Sequence, residues 1–434
     1  MLDATINTDD SRFQRGDKTQ IVLRWLFPDP ARPVLPLMSD FSIGRDPSCL
    51  MQLDGEGVSR VHAEVRRTAD GFVLRDNGST NGTHLGGRAI VEELIQPGAV
   101  LRVGSWVGVF ELQAPDTLAV APFDVAPGML GGAALREAME PARRAAASTL
   151  PIIVSGETGT GKEVASRTIH DWSGRRGEFC AINCAALPEH LVEGELFGYR
   201  KGAFTGAERN SPGHFRRAHL GTLLLDEITE LPLATQAKLL RVLQERELVP
   251  LGESAPIAID VRMIVAAHAP LGAAVAAAKF REDLYMRLRG LEITLPPLRA
   301  RVADVPGLFQ SFLAKHASGA PPALEPRLIE SLCLYAWPGN VRELELVARR
   351  LLAVHGAEPV LKRRFLPEHV TEPVSASAAA AGPLDLERLA AALRRASGNL
   401  TKACAELQIS RQRAYRLLDG VSVKDFLARN EEKP

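Results

Sequence analysis

Apolar and polar positions fall into three blocks along the chain. Between residues 21 and 112 the apolar runs are short and alternate with polar positions: Ile21-Val22-Leu23, Ala63-Glu64-Val65, Phe72-Val73-Leu74 and Val107-Gly108-Val109-Phe110. Asp70-Gly71 and Asn81-Gly82 punctuate them as turn signals. That rhythm predicts an all-β sandwich of antiparallel strands over residues 21–113. Residues 114–128 carry Pro115, Pro122 and Pro127 and read as a connector. From residue 129 to about 371 strands alternate with amphipathic helices, and helix-rich sequence follows Val305. This predicts an α/β domain over 129–302 with a helical part over 303–371. Residues 372–383 are rich in Ala and Ser and form a second linker. The last block reads as helical over 384–420, with 421–434 as a tail.

Two segments of the middle block carry chemistry. Pro151-Ile152-Ile153-Val154-Ser155 is a buried-strand run, followed by Gly156-Glu157-Thr158-Gly159-Thr160-Gly161-Lys162 and an amphipathic stretch with Val164, Ala165 and Ile169. Strand, glycine loop and helix are the context of a phosphate-binding loop. Its glycines let backbone N–H groups turn onto phosphate oxygens, the helix N-terminus adds partial positive charge, and Lys162 reaches the β- and γ-phosphates. The generic motif has Ser or Thr after the lysine; Glu163 stands there. The second segment, Thr222-Leu223-Leu224-Leu225-Asp226-Glu227, is an apolar strand ending in two carboxylates. Asp226 suits organising Mg2+ and Glu227 suits polarising an attacking water.

Composition narrows the rest. Lys plus Arg and Asp plus Glu are 52 each, so any nucleic-acid surface must be local. Cys49, Cys180, Cys184, Cys333 and Cys404 are odd in number and scattered, which fits a reduced, cytoplasmic protein. Cys180, Cys184 and His170 lack a second ligand pair, so zinc is not expected. No apolar run is long enough to span a membrane, and no export segment is expected.

Between the two phosphate-site segments lies Gly202-Ala203-Phe204-Thr205-Gly206-Ala207. This string resembles one family, the bacterial activators that use ATP to remodel RNA polymerase carrying sigma-54, in which Glu163 is also the usual residue. The resemblance implies an AAA+ ATPase with a helical lid, ATP and Mg2+ as cofactors, and the sigma-54 RNA polymerase holoenzyme as partner. It implies that residues 202–207 form a mobile loop pressing on sigma-54, with Phe204 as aromatic anchor and Thr205 as hydroxyl. Phe179-Cys180-Ala181-Ile182-Asn183-Cys184 is similar to the segment whose asparagine restrains the catalytic glutamate, which places that role on Asn183. The run from Phe280 to Leu288 is similar to the arginine-finger segment, so Arg281 and Arg287 would reach the γ-phosphate of a neighbouring subunit. That implies a homo-oligomer, from dimer to hexameric ring. Trp337-Pro338-Gly339-Asn340-Val341-Arg342 resembles the sensor II signature, with Arg342 touching nucleotide. The first sensor strand, ending Ala266-Ala267-His268, departs from the family, which usually has Thr at the second of these positions; Leu220 stands where Gly is common.

In the last block Gly398-Asn399 interrupts one helical stretch, and Gln408-Ile409-Ser410 separates two more. The spacing suits a helix-turn-helix, and the residues resemble the Fis-type DNA-binding domain of the same activators. Ser410, Arg411, Gln412, Arg413, Tyr415 and Arg416 are the candidate DNA contacts, with enhancer DNA as the implied target. In the first block, Ile43-Gly44-Arg45, the run from Val58 to Ala63 and the run from Asp76 to Thr83 resemble the forkhead-associated (FHA) domain. Arg45, Ser59 and Thr80 offer charge-assisted and hydroxyl donors to a phosphate, with Arg60 beside them. Asn81 would hold peptide backbone, and His62 would brace the loops. The implied ligand is a phosphothreonine protein, or a phosphorylated segment of this chain, fed by a Ser/Thr kinase pathway.

The fold class expected is therefore multidomain: all-β FHA sandwich, α/β AAA+ ATPase with helical lid, and all-α helix-turn-helix. The function expected is an ATP-driven transcription activator. A rival is a phosphopeptide- and DNA-binding adaptor whose ATPase is only a nucleotide-gated scaffold. A generic AAA+ remodeller would leave residues 202–207 and the DNA reader unexplained.

Overall fold

A computed structural model describes residues 20–32, 34–113, 123–203, 207–371 and 386–395. The chain separates into two units, one ending at Thr371 and one beginning at Glu372. Phe204, Thr205 and Gly206, the 372–383 linker and the candidate DNA contacts from Ser410 to Arg416 lie outside the described residues. Of the last block, a helix over Leu386–Arg395 is described.

The first domain is built from β1 (Gln20–Phe27), β2 (Leu35–Pro36), β3 (Phe41–Gly44), β4 (Met51–Gln52), β5 (Ala63–Thr68), β6 (Gly71–Asp76), β7 (Thr83–Leu85), β8 (Arg88–Ile90), β9 (Glu92–Leu94), β10 (Val100–Val103) and β11 (Trp106–Gln113). They form two sheets, ordered β2-β1-β11-β10-β7-β8 and β4-β3-β5-β6-β9. Pairing is antiparallel except between β3 and β4, which run parallel. The sandwich core is Leu23, Trp25, Phe41, Ile43, Val65, Leu74, Leu101, Val103, Trp106 and Phe110. Sheet-on-sheet packing needs an apolar face from each partner, and alternate residues of these strands supply it.

The expected connector is only partly one. β12 (Asp124–Ala126) and β13 (Met129–Leu130) make a hairpin, and Ala126 and Met129 are buried. Pro127-Gly128, with Gly128 at φ +80°, supplies the turn, and the flanking apolar residues bury against the next helix.

The second domain continues through α1 (Ala133–Arg144), β14 (Ile152–Ser155), α2 (Lys162–Ser173), β15 (Phe179–Asn183), α3 (Glu189–Phe197), α4 (Gly213–Arg217), β16 (Thr222–Asp226), α5 (Leu233–Glu245), β17 (Glu247–Leu248), β18 (Ile257–Ala258), β19 (Arg262–Ala267), α6 (Leu271–Ala276), α7 (Glu282–Leu288) and β20 (Leu291–Thr294). Its central sheet is parallel, ordered β15-β16-β19-β14-β20. β14 and β19 are buried throughout, as strands covered by helices on both faces must be. On α2, Ala165 and Ile169 face the core, whereas Val164 is exposed, off the buried stripe. The lid follows as α8 (Asp304–His316), β21 (Ala323–Leu324), α9 (Pro326–Leu334), α10 (Asn340–His355), β22 (Val360–Leu361) and α11 (Glu368–Thr371).

Candidate functional site

The loop at 156–162 joins β14 to α2, and its backbone explains its glycines. Gly156, Gly159 and Gly161 have φ of +155°, +79° and +103°, a region costly for any residue with a Cβ. Lys162 opens α2 and is buried, with Nζ donating to the carbonyl of Gly156 at 2.8 Å. In the same sheet, β16 ends at Asp226, whose Oδ1 accepts the Glu227 N–H at 3.0 Å. Burial and the adjacent Glu227 push the Asp226 carboxyl up, while Lys162 opposes them. A half-buried carboxylate raised by a neighbouring acid, with Lys162 near, is an oxygen-donor setting that fits a divalent cation. Among the described residues no three His, Cys, Asp or Glu side chains gather as a metal site. Glu163 points outward, 3.8 Å from Arg167.

Glu227 is held at φ +52°, a strained value for a glutamate, and its Oε2 meets Nδ1 of His268 at 2.9 Å. Asn183, expected to restrain Glu227, accepts the Ala185 N–H at its Oδ1 at 2.9 Å, so a bond to the Glu227 carboxylate would use its Nδ2 donor. The chain turns into a short helical turn there and needs that oxygen as its cap. Sequence reasoning missed the His268 contact, although a histidine just past a central strand end was visible.

Glu157 is turned away from the phosphate cradle. Its two oxygens receive Arg299 at 2.5 and 2.7 Å, and Oε2 also receives Asn340 Nδ2 at 3.2 Å. The Arg299 bonds hold its carboxyl at about 2. Asn340, fully buried at the start of α10, donates to the Thr158 carbonyl at 3.0 Å and accepts the Leu298 N–H at 2.8 Å. The N–H groups of Val341 and Arg342 both reach the Gly159 carbonyl. The lid thus sits directly on the loop, and Arg342, exposed beside it, has its Cβ within reach of Gly159. Arg281 and Arg287 stand on the surface at α7, pairing with Asp283 and the Leu243 carbonyl respectively.

Residues 202, 203 and 207 form a closed neck. Gly202, at φ +85°, donates its N–H to the Ala207 carbonyl at 2.9 Å, and Ala203 donates to Arg200. Ala207 is buried, so the loop's far end is anchored.

In the first domain three loops meet. His62, fully buried, accepts the Ser59 N–H at Nδ1 (3.1 Å) and lies 3.3 Å from the Gly82 carbonyl at Nε2. Burial pulls its pKa down, so the ring is neutral and Nε2 carries the proton donated to Gly82. Ser59 Oγ accepts the Thr80 N–H at 3.2 Å, and Asn81 Nδ2 donates to the Gly57 carbonyl at 3.2 Å. Arg45, Arg60, Thr80 and Asn81 are exposed around this junction. Asp76, not singled out from sequence, organises the 76–83 loop by accepting from Ser79 and Thr83 backbone and hydroxyl groups at 2.6–3.0 Å. The Ser three residues after an Asp was its signal.

Cys49, Cys180, Cys184 and Cys333 are buried free thiols, and burial pushes Cys184 up to about 12. Among the described residues no helix is long and apolar enough to cross a membrane.

A parallel sheet with a glycine loop, an acidic strand end and a helical lid defines an AAA+ nucleotide-binding module. The sigma-54 interaction domain family matches residues 130–294, the AAA+ ATPase lid domain 299–382 and the FHA domain 41–104. NtrC of Azospirillum brasilense is 46% identical over 230 residues, covering 52% of this chain and 48% of that protein. The transcriptional regulatory protein ZraR of Klebsiella oxytoca is 40% identical over 297 residues, covering 66% and 67%. The crystal structure of NtrX from Brucella abortus in complex with ATP superposes with a TM-score of 0.51 at 30% identity, covering 67% and 68%. The chain belongs to the family of sigma-54-dependent transcriptional regulators, and it carries an FHA domain at its N-terminal end. It spans about half the length, or less, of several curated relatives it matches.

Proposed function

We propose that this protein hydrolyses ATP to open promoters held by sigma-54 RNA polymerase, binds enhancer DNA through its C-terminal block, and is regulated by phosphothreonine. The observation that carries the reading is the joining, in one domain, of the 156–162 loop, the Asp226–Glu227 strand end and the narrow-necked 202–207 loop.

Backbone N–H groups of the 156–161 loop and the start of α2 bind the phosphates. Lys162 leaves the Gly156 carbonyl and turns to the β- and γ-phosphates. Asp226 would hold Mg2+, which neutralises charge on those phosphates when bound. Glu227 orients the attacking water and accepts its proton, with His268 fixing the carboxylate and Asn183, opposite Asp226 in the sheet, as a second restraint. Arg281 and Arg287, exposed at the surface, exchange Asp283 and the Leu243 carbonyl for a neighbouring subunit's nucleotide and stabilise charge developing on the γ-phosphate in a homo-oligomeric ring. Arg342 contacts nucleotide from the lid. Thr160 and Gly161 complete the cradle, Glu163 faces solvent, and Glu157 positions the lid. Phe204 and Thr205 engage sigma-54 when the loop moves, the small residues at its two ends, Gly202 and Ala203 and then Gly206 and Ala207, permitting the hinge.

In the FHA domain Arg45, Ser59, Arg60 and Thr80 surround a phosphate and Asn81 holds peptide backbone, so a Ser/Thr kinase pathway supplies the signal. A second reading, the nucleotide-gated adaptor, draws on Ala267, which ends β19 without the family's hydroxyl. ATP turnover separates the two. The test of the preferred reading is in vitro transcription from a sigma-54 promoter with ATP: transcripts are expected with wild type and not with Lys162→Ala. Brisk ATP turnover with no transcript from wild type sinks it.

A further inference from the structure

The FHA domain is not merely tethered to the ATPase; one face of its first sheet belongs to the lid's core. β10, and β11 as far as Phe110, are buried on both sides. Leu101, Val103, Trp106 and Phe110 face the sandwich interior. Val100, Val107 and Val109, with Leu26 of β1, join Phe309 of α8 and Leu328, Leu332 and Cys333 of α9 in a single hydrophobic cluster. At the turn after β7, Gly87 packs so closely on Leu334 that an added Cβ would stand 2.8 Å from its Cδ1.

A polar contact crosses this face. Arg102 Nε donates to Glu330 Oε2 at 2.7 Å, with the side chains 7% and 9% exposed. Glu330 Oε1 is buried and has no hydrogen-bond partner. A buried pair with an unsatisfied oxygen is costly compared with an apolar contact of the same size, so it contributes little to permanent adhesion. It is sensitive to small displacements, because the low-dielectric setting strengthens it steeply with good geometry.

Both ends of this pair lead to a ligand site. Arg102 stands opposite His84 in the β10–β7 register, and β7 emerges directly from the loop carrying Thr80 and Asn81. His84 and the buried His62 both lie against the Gly82 carbonyl. On the other side, α9 carries Glu330; the Trp337 indole just beyond it donates to the Leu332 carbonyl at 2.8 Å. Asn340, three residues later, grips Glu157 and Thr158 of the phosphate loop.

We propose that this shared FHA–lid face, with Arg102–Glu330 at its centre, couples phosphopeptide binding at Thr80–Asn81 to nucleotide binding at the 156–162 loop within one subunit. The inference rests on the FHA and ATPase readings above, and linkage requires the coupling to be reciprocal.

The test uses the full chain with ADP and a degenerate peptide pool fixed at one phosphothreonine. In wild type, ADP is expected to change amide exchange in β7 and β10, and to change the peptide Kd by about fivefold or more, with the peptide shifting the ADP Kd by the same factor. The Arg102→Met, Glu330→Met double variant, which keeps the face apolar, is expected to bind both ligands with the mutual shift reduced to nearly one and the ADP effect on β7 and β10 lost. Unchanged exchange in β7 and β10 of wild type on adding ADP overturns the coupling, as does undiminished coupling in the double variant. A peptide pool that never binds defeats the phosphothreonine reading alone, because the ADP-driven exchange still decides the coupling.

Discussion

His268 Nδ1 stands 2.9 Å from Glu227 Oε2, at the end of the strand next to the one that carries the acidic pair. On the proposed hydrolytic reading, this imidazole is the external hold that lets a carboxylate on a strained left-handed residue aim a water. His268→Ala is expected to lower kcat roughly tenfold or more while leaving the nucleotide Kd within about twofold; Glu227→Gln should cost about 10²–10⁴ in kcat. Steady-state ATP hydrolysis alongside ADP titration checks both. An unaltered kcat in His268→Ala would leave the contact a passive one.

The Glu157–Arg299 pair is about half exposed, so its loss should cost under about 1 kcal/mol of stability. Its effect is on lid placement. Glu157→Gln should weaken ADP binding by roughly threefold to tenfold, while the unfolding midpoint barely moves. Since this carboxyl titrates near 2 in the folded protein, well below its ordinary value, the pair's contribution is present above pH 4.5 and is lost only on approaching pH 2. Between pH 6 and 8 the ADP affinity difference between wild type and variant should therefore be flat; isothermal titration across that range measures it.

His62 is expected to make the FHA domain acid-sensitive. Burial holds its folded pKa below the ordinary 6.5, so the unfolded chain binds more protons. Stability is full above about pH 6.5 and falls as pH drops below it. His84, His170 and His214 are lowered for the same reason and add in the same direction. Denaturant midpoints should decline between about pH 7 and 5 in wild type, with a shallower decline in His62→Gln.

Leu220 adopts φ +60° and is half exposed. A left-handed Leu costs about 1–2 kcal/mol, more than the ~0.5–1 kcal/mol of chain entropy that Gly loses on folding. Leu220→Gly should therefore stabilise the protein by about 0.5–1 kcal/mol, read from urea denaturation, with ATP turnover unchanged.

The strand–loop–helix unit and the acidic strand end were legible because glycine spacing and strand-end acids are local signals: placing Gly156, Lys162, Asp226 and Glu227 needed no long-range knowledge. It also marked Leu220 as out of place, and the positive φ gives the reason. It did not reveal what Glu157 holds, since Arg299 and Asn340 are 142 and 183 residues away. The FHA–lid face is an intermediate case. Val100-Leu101-Arg102-Val103 and Trp106-Val107-Gly108-Val109-Phe110 are nearly continuous apolar runs, a departure from the alternation expected of this block, and the structure gives the reason: α8 and α9 cover their outer face. Pro127-Gly128 read as a linker because proline and glycine mark turns inside hairpins as well as connectors between domains.

The central claim is that hydrolysis drives the 202–207 loop against sigma-54, and Thr205→Ala tests it most directly. The account predicts that this variant hydrolyses ATP at a rate within about threefold of wild type, corresponding to under about 1 kcal/mol at the barrier, yet forms no open complex at a sigma-54 promoter. Open-complex formation at the wild-type level would contradict it.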